Sequence, residues 1–296
     1  MATPDVQRRT LVVPDGTALA WYDSGGSGPP VVLANGLGGP FAAWRHQIDY
    51  LADRHRIVGW DYRGLFGSGR PPGDAPDLGI PVHVADLLCV LDAAGIEKAA
   101  LVGWSMGVQV LLELYGRRPE RVSHLLLVNG TYGRPFDTVA LPAAGRIPLG
   151  GIIPRLLREL RRFQGIGSKV LGRATRSPEL VLWLKRLGLV GATLDEELFR
   201  EIASEFGRID LDLYLRMLEA LGDHDAADVL DRIEVPTLVV SGERDPLTPH
   251  ALAQQMAHRV PRGEILVVRG ATHYVPLEYP ELLNLRIEKF LREHGY

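Results

Sequence analysis

Short, largely apolar runs alternate with helical patterns over the first part of the chain. Val31–Ala34, Arg56–Trp60, Ala99–Val102 and Val122–Val128 have the composition of strands buried on both faces. Between the first two runs, residues 41–51 place apolar side chains at helical spacing. Strands that alternate with helices predict an α/β fold with a mostly parallel sheet and helices on both faces.

The strand pattern returns near the end of the chain. Pro236–Val240 and Glu264–Val268 are predicted strands, and Ala251–Arg259 between them is a predicted helix. At the beginning, Thr10–Val13 and Ala18–Tyr22 flank a turn rich in Pro, Asp and Gly, which predicts a hairpin. Together these segments predict an eight-stranded sheet.

A long insertion interrupts this alternation and shows only amphipathic helical patterns. We predict that residues 134–230 form a helical cap, inserted into a core made of residues 1–133 and 231–296. One apolar stripe in the cap is too regular for a solvated helix, so we expect it to cover other cap helices, the mouth of a pocket, or both. The stripe consists of Ile153, Leu156, Leu157, Leu160 and Phe163.

Composition narrows the class of protein. The chain has 296 residues, of which 46% are hydrophobic and 23% charged, and its formal net charge is −3. This charge gives no reason to expect nucleic acid or an anionic membrane as a partner. The single cysteine, Cys89, fits a reducing compartment. No signal-peptide core and no run of ~18 apolar residues occurs, so we expect a cytoplasmic protein without a membrane span.

The strand that ends near residue 102 runs directly into Gly-Trp-Ser-Met-Gly at 103–107, and a helical pattern follows at once. This order is the context of a nucleophile elbow, in which Ser105 occupies a sharp, strained turn. Side chains at positions 103 and 107 would collide with the neighbouring backbone, so both positions require glycine. An ordinary strand–helix turn with Ser105 as a helix cap is the alternative.

Two later motifs also follow predicted strands. Gly-Glu-Arg-Asp ends at Asp245, and Gly-Ala-Thr-His ends at His273. With the elbow, these motifs in the order Ser, Asp, His resemble the α/β-hydrolase superfamily. The resemblance implies the fold of that superfamily, with Ser105 as nucleophile, His273 as its base and Asp245 as the acid that orients His273. Glu243 is the alternative acid.

The same resemblance implies an oxyanion hole made by backbone N–H groups. One donor is Met106, directly after the nucleophile, and the other is Leu37 in the loop after the third strand. Asn35 replaces the histidine that is usual in this loop. The candidate substrate-binding residues are Trp104, Asn35, Leu157 and Phe163, although Trp104 is equally explained as core.

The expected activity is cleavage of a carboxylic ester or lactone of a small, largely apolar substrate through an acyl-enzyme. The resemblance leaves carbon–carbon bond hydrolases and cofactor-free perhydrolases with the same triad as alternatives, and a ligand receptor on the same fold as a further one. No metal-ligand spacing and no nucleotide-binding motif occurs, so neither a metal nor a cofactor is expected. The sequence leaves the oligomeric state open.

Overall fold

One eight-stranded sheet lies at the centre of the protein, whose computed structural model describes residues 5–138 and 153–296. The strands are β1 (Gln7–Val12), β2 (Ala18–Asp23), β3 (Pro30–Ala34), β4 (Arg56–Trp60), β5 (Ala99–Trp104), β6 (Val122–Val128), β7 (Thr237–Gly242) and β8 (Gly263–Val268).

The strands lie in the order β1-β2-β4-β3-β5-β6-β7-β8. β1 and β2 form the predicted antiparallel hairpin, and β2 pairs with β4 in antiparallel orientation. All pairings from β4 to β8 are parallel. The predicted mostly parallel, eight-stranded sheet is therefore confirmed. Because parallel strands share their direction, the loops after β3, β5, β7 and β8 meet at one edge of the sheet.

The helices of the described residues occur between and after these strands. They are α1 (Arg45–Leu51), α2 (Ile80–Ala93), α3 (Met106–Arg117), α4 (Pro135–Thr138), α5 (Ile153–Arg162), α6 (Gln164–Ala174), α7 (Leu180–Arg186), α8 (Glu196–Phe206), α9 (Leu211–Asp223), α10 (His250–Arg259), α11 (Val275–Glu278) and α12 (Pro280–Glu293), with 3₁₀ turns at Phe41–Trp44, Pro119–Arg121 and Ala227–Arg232.

Helices cover both faces of the sheet, as predicted. Successive strand residues point to opposite faces, so Val31 and Leu33 of β3 belong to the same apolar cluster as α1 and α12, whereas Val32 and Ala34 belong to the cluster that includes α2, α3 and α10. Both sets of side chains are buried. This explains why the central strands are apolar throughout instead of alternating with polar residues.

The described residues between β6 and β7 are helical or connect helices. They belong to the proposed cap, residues 134–230, of which 139–152 lie outside the described residues. α8 contributes buried side chains to the same apolar cluster as α1 and α12, and α9 contributes to the cluster on the opposite face. α7 also contributes Val181 to the first of these clusters, so the proposed cap packs on the core through α7, α8 and α9.

Among the described residues, no helix combines the length and the apolarity that a bilayer span requires.

Candidate active site

The turn between β5 and α3 is strained in the way the sequence predicts. Ser105 has φ 56° and ψ −116°, in the positive-φ region that few residues other than glycine adopt. A Cβ at Gly103 would lie 2.7 Å from the carbonyl carbon of Gly107, and a Cβ at Gly107 would lie 2.3 Å from the carbonyl oxygen of Ala34. Both glycines are therefore required sterically, and together they allow the sharp turn at Ser105.

We expect Gly107→Ala to lower the free energy of unfolding by roughly 3 kcal/mol, because backbone surrounds the added methyl group and cannot yield as a side chain would. Gly165→Ala is the matched control, since nothing lies within 4 Å of a Cβ at that position in α6. Urea unfolding of both variants checks this. Equal stabilities of the two variants would contradict the steric account of the elbow.

The three predicted side chains of the triad meet at the carboxyl edge of the sheet. His273 Nε2 lies 2.9 Å from Ser105 Oγ, and His273 Nδ1 lies 2.8 Å from Asp245 Oδ2. A carboxylate only accepts hydrogen bonds, so the proton of the second contact resides on Nδ1. That tautomer leaves Nε2 free to accept the hydroxyl proton of Ser105.

Several groups besides His273 hold the carboxylate of Asp245 in place. Asn129 Nδ2 and Thr248 Oγ1 donate to its Oδ2 at 2.7 and 2.6 Å, and the N–H groups of Leu247 and Thr248 donate to its Oδ1. Burial by itself would raise the pKa of Asp245, but the attraction of His273 and the hydrogen bonds from His273 and Thr248 outweigh burial and lower the pKa. Asp245 is therefore a fixed, ionised partner for His273.

The alternative acid lies outside this cluster. Glu243 is exposed, and its Oε2 accepts a hydrogen bond from the N–H of Gly270 at 2.9 Å. The structure therefore brings Asp245, and not Glu243, to His273.

Two residues that the sequence analysis missed hold the loops of the site. Asn129 follows β6 with φ 45° and bridges Asp245 and the carbonyl oxygen of Thr272. Its place at the carboxyl end of a strand was the available signal. Glu278 is buried and accepts hydrogen bonds from the N–H and Oγ1 of Thr272 at 2.7 and 2.6 Å. Trp104 Nε1 donates to the carbonyl oxygen of His273 at 2.9 Å.

A cavity of about 440 Å³ opens onto Ser105 and His273. Its walls come from the core and from the proposed cap, and most of them are apolar or aromatic. Trp104 lines this cavity and is only 4% exposed, so its side chain is part of the core and of the cavity wall at once. The cap residues in the wall are Leu171, Ala174, Thr175, Leu180, Leu184, Phe199, Ile202, Ala203, Phe206, Tyr214, Leu218 and Leu221.

The two predicted oxyanion donors lie next to the nucleophile. Met106 is the first residue of α3 and directly follows Ser105, and Leu37 belongs to the cavity wall. The loop that carries Leu37 is close to the nucleophile, since a Cβ at Gly36 would lie 3.3 Å from Ser105 Cβ. The arrangement places both backbone segments beside the serine.

Three of the residues predicted to bind substrate do not line the cavity. Asn35 is buried, donates to the carbonyl oxygen of Trp60 and accepts from Trp44 Nε1, both at 2.9 Å. Its amide is therefore satisfied inside the core, and we correct its assignment to a structural one.

Leu157 and Phe163 need the same correction. Leu157 packs in a separate cluster with Phe136 and Leu215, and Phe163 is 63% exposed. The physical reason is the position of α5, which packs mainly against α9 and leaves the cavity wall to α6, α7, α8 and α9.

Comparisons with known proteins indicate the fold and the relatives of the chain. A family model of the alpha/beta hydrolase fold matches residues 29–280. The chain is 29% identical over 278 residues to a putative carbamate hydrolase, RutD, of Azorhizobium caulinodans, covering 94% of this chain and 97% of that protein. It is 26% identical over 266 residues to 3-oxoadipate enol-lactonase 2 of Acinetobacter baylyi, covering 89% of each.

A solved structure shows the same fold. The enol-lactonase from Burkholderia xenovorans LB400 superimposes with a TM-score of 0.75 over 96% of this chain and 100% of that chain, at 22% identity.

Proposed function

Since the chain belongs to the α/β-hydrolase family, and is an enzyme of that family, we propose that it cleaves a carboxylic ester or a lactone of a small, largely apolar substrate through an acyl-enzyme. The observation that carries this proposal is the continuous hydrogen-bonded series from Ser105 through His273 to Asp245, which opens onto an apolar cavity.

The first half of the reaction follows from the tautomer of His273. Ser105 Oγ attacks the carbonyl carbon of the substrate while Nε2 of His273 takes the hydroxyl proton. The resulting imidazolium is stabilised by the ionised Asp245, and the oxyanion accepts hydrogen bonds from the N–H groups of Leu37 and Met106. Collapse of this intermediate breaks the bond to the leaving oxygen, which receives the proton from Nε2.

The second half repeats these steps with water. His273 Nε2 removes a proton from a water molecule, whose oxygen attacks the acyl carbon. The second oxyanion is held by the same two N–H groups, and Ser105 leaves with the proton that His273 returns. The products are a carboxylic acid and an alcohol, or a hydroxy acid when the substrate is a lactone.

The names of two relatives bear on the choice of test substrates. A carbamate and an enol-lactone both present a carbonyl carbon to a nucleophile, as a simple ester does. We therefore test p-nitrophenyl esters with acyl chains of increasing length, several lactones and one carbamate. The proposal predicts turnover of at least one ester or lactone. If the protein binds such compounds but cleaves none of them, a ligand receptor is favoured instead.

Chain-length preference locates the acyl pocket. We expect Leu184→Ala to change the ratio of kcat/KM between a long and a short acyl ester by about 5- to 50-fold, because it removes the branched end of the side chain from an apolar wall. Phe163→Ala is the control, since Phe163 is exposed and outside the wall. Hydrolysis of matched p-nitrophenyl esters measures both ratios. If Phe163→Ala shifts the ratio and Leu184→Ala does not, the acyl pocket lies beside Phe163, at the end of α5.

A further inference from the structure

Two tyrosines line the cavity in positions where their hydroxyl groups have nothing to bind. Tyr214 lies on α9 in line with Leu218 and Leu221, and Tyr274 directly follows His273. Within residues 5–138 and 153–296, neither hydroxyl makes a hydrogen bond. Neither hydroxyl oxygen is among the fully enclosed polar atoms without a partner. Both hydroxyl groups therefore open onto the cavity.

Tyrosines elsewhere in the fold contrast with this pair. Tyr62 is buried and donates to the carbonyl oxygen of Asn35 at 2.7 Å, and Tyr22 donates to Asp61 Oδ2 at 2.8 Å. A phenol away from bulk water ordinarily finds such a partner, because leaving it unpaired is costly. Two phenols without a partner among the described residues, both open to one cavity, are therefore available to donate a hydrogen bond to a bound substrate.

The rings that carry these hydroxyl groups are fixed by their neighbours. Tyr274 packs edge-on against Trp104 and Phe199, with ring centres 5.7 and 5.3 Å apart. Tyr214 packs edge-on against Phe206 with ring centres 5.0 Å apart. A preorganised donor loses little conformational entropy when it binds a ligand.

The described part of the cavity wall offers no Lys or Arg to a negatively charged substrate. Among the described residues, no Lys, Arg, Asp or Glu side chain lines the cavity. The hydroxyl oxygen of Thr175 is enclosed and does not face it. A carboxylate placed here would lose its hydration without gaining a Lys or Arg partner from the described part of the wall, which is strongly unfavourable.

Both phenols keep their protons at neutral pH. Burial raises the pKa of Tyr214 to about 12, and burial together with neighbouring Tyr214 and Asp245 raises the pKa of Tyr274 to about 12. Each hydroxyl therefore keeps its proton and offers it to an acceptor.

We propose that Tyr214 and Tyr274 form a specificity subsite that binds an uncharged oxygen acceptor, such as a ketone or ether oxygen, on the acyl part of the substrate. The substrate class is then an ester or lactone with a neutral, oxygenated acyl chain, and acyl chains that end in a carboxylate are rejected. This inference rests on the proposed function.

A matched set of substrates tests the subsite. We compare p-nitrophenyl hexanoate with its analogues that carry a keto group at carbon three, four or five, and with the p-nitrophenyl half-ester of adipate, after subtraction of uncatalysed hydrolysis. The enzymes are the wild type, Tyr214→Phe, Tyr274→Phe, the double variant, and the control Tyr132→Phe. Tyr132 lies outside the cavity wall, and its hydroxyl donates to Gln255.

The wild type and the control should prefer at least one keto ester over hexanoate by about 3- to 10-fold in kcat/KM, the size expected for one or two hydrogen bonds. The double variant should lose that preference, so that its ratio of kcat/KM between the keto ester and hexanoate falls to about one. The adipate half-ester should be slower than hexanoate by at least roughly 30-fold in the wild type.

Three results would overturn the subsite: no keto ester is preferred by the wild type, the preference survives in the double variant, or the adipate half-ester is cleaved as fast as hexanoate. If the double variant does not fold, the wild-type comparison and the single variants decide. Failure of the proposed function looks different, since then the wild type cleaves no ester in the set, hexanoate included.

Discussion

Ser105→Ala is expected to fold like the wild type and to lose roughly 10⁴- to 10⁶-fold of its kcat toward p-nitrophenyl esters. The hydroxyl contacts His273 Nε2 and faces the cavity, so its removal deletes the nucleophile and creates no void in the core. What remains is the rate enhancement that binding and the oxyanion donors provide without a nucleophile. Steady-state hydrolysis and urea unfolding measure the two quantities separately.

A fluorophosphonate probe provides the direct comparison. It should label the wild type and the control Ser27→Ala, whose serine is exposed in the loop before β3, and should not label Ser105→Ala. Labelling that persists after Ser105→Ala would show that another residue is the nucleophile. Loss of labelling together with a large loss of stability would leave the hydroxyl with a structural role and would equally oppose the account.

Asp245→Asn is expected to reduce kcat by about 10⁴-fold, the loss typical of replacing the acid of such a triad by its amide. Three donors converge on Asp245 Oδ2, from His273, Asn129 and Thr248. An amide NH₂ group at this position faces donors, and an amide oxygen there leaves the imidazolium without a negative partner. His273 then loses both its tautomer and the stabilisation of its charged form.

Glu243→Gln is the matched control, because it makes the same chemical change two residues away on the surface. We expect this variant to retain activity within about threefold, since the side chain of Glu243 is exposed and, among the described residues, accepts a hydrogen bond only from the N–H of Gly270. Parallel kcat measurements on the two variants give the comparison. Equal losses, or a larger loss for Glu243→Gln, would show that Asp245 is not the carboxylate that orients His273.

The elbow and the mostly parallel sheet could be predicted because their signals are local. The glycines at 103 and 107 are required by contacts with backbone that any such turn makes, and apolar runs of strand length identify the central sheet. Asp245 and His273 were identified from motifs that resemble those of the α/β-hydrolase superfamily, each in the loop after a predicted strand, and parallel strands end at one edge of the sheet.

The cavity wall could not be predicted because it depends on how cap helices are rotated and packed. The stripe of α5 is regular, yet Leu156 and Leu160 are 55% and 48% exposed while Leu157 is buried against α9. The sequence of α6 shows no clear helical pattern, because α6 contains three glycines. This helix nevertheless supplies Leu171 and Ala174 to the cavity wall.

The contacts of Asn129 and Asn35 are likewise matters of tertiary structure. Asn129 meets Asp245 across 116 positions of sequence, and Asn35 meets the carbonyl oxygen of Trp60 on the neighbouring strand. Nothing in the sequence around either asparagine distinguishes an amide that serves the triad from one that serves the core.

The most direct test of the central claim is mass spectrometry of the enzyme quenched in acid during turnover of a p-nitrophenyl ester. We expect that the peptide containing Ser105 gains the mass of the acyl group, and that this gain disappears when the substrate is exhausted. An enzyme that cleaves the ester while the acyl group is found on another residue would contradict it.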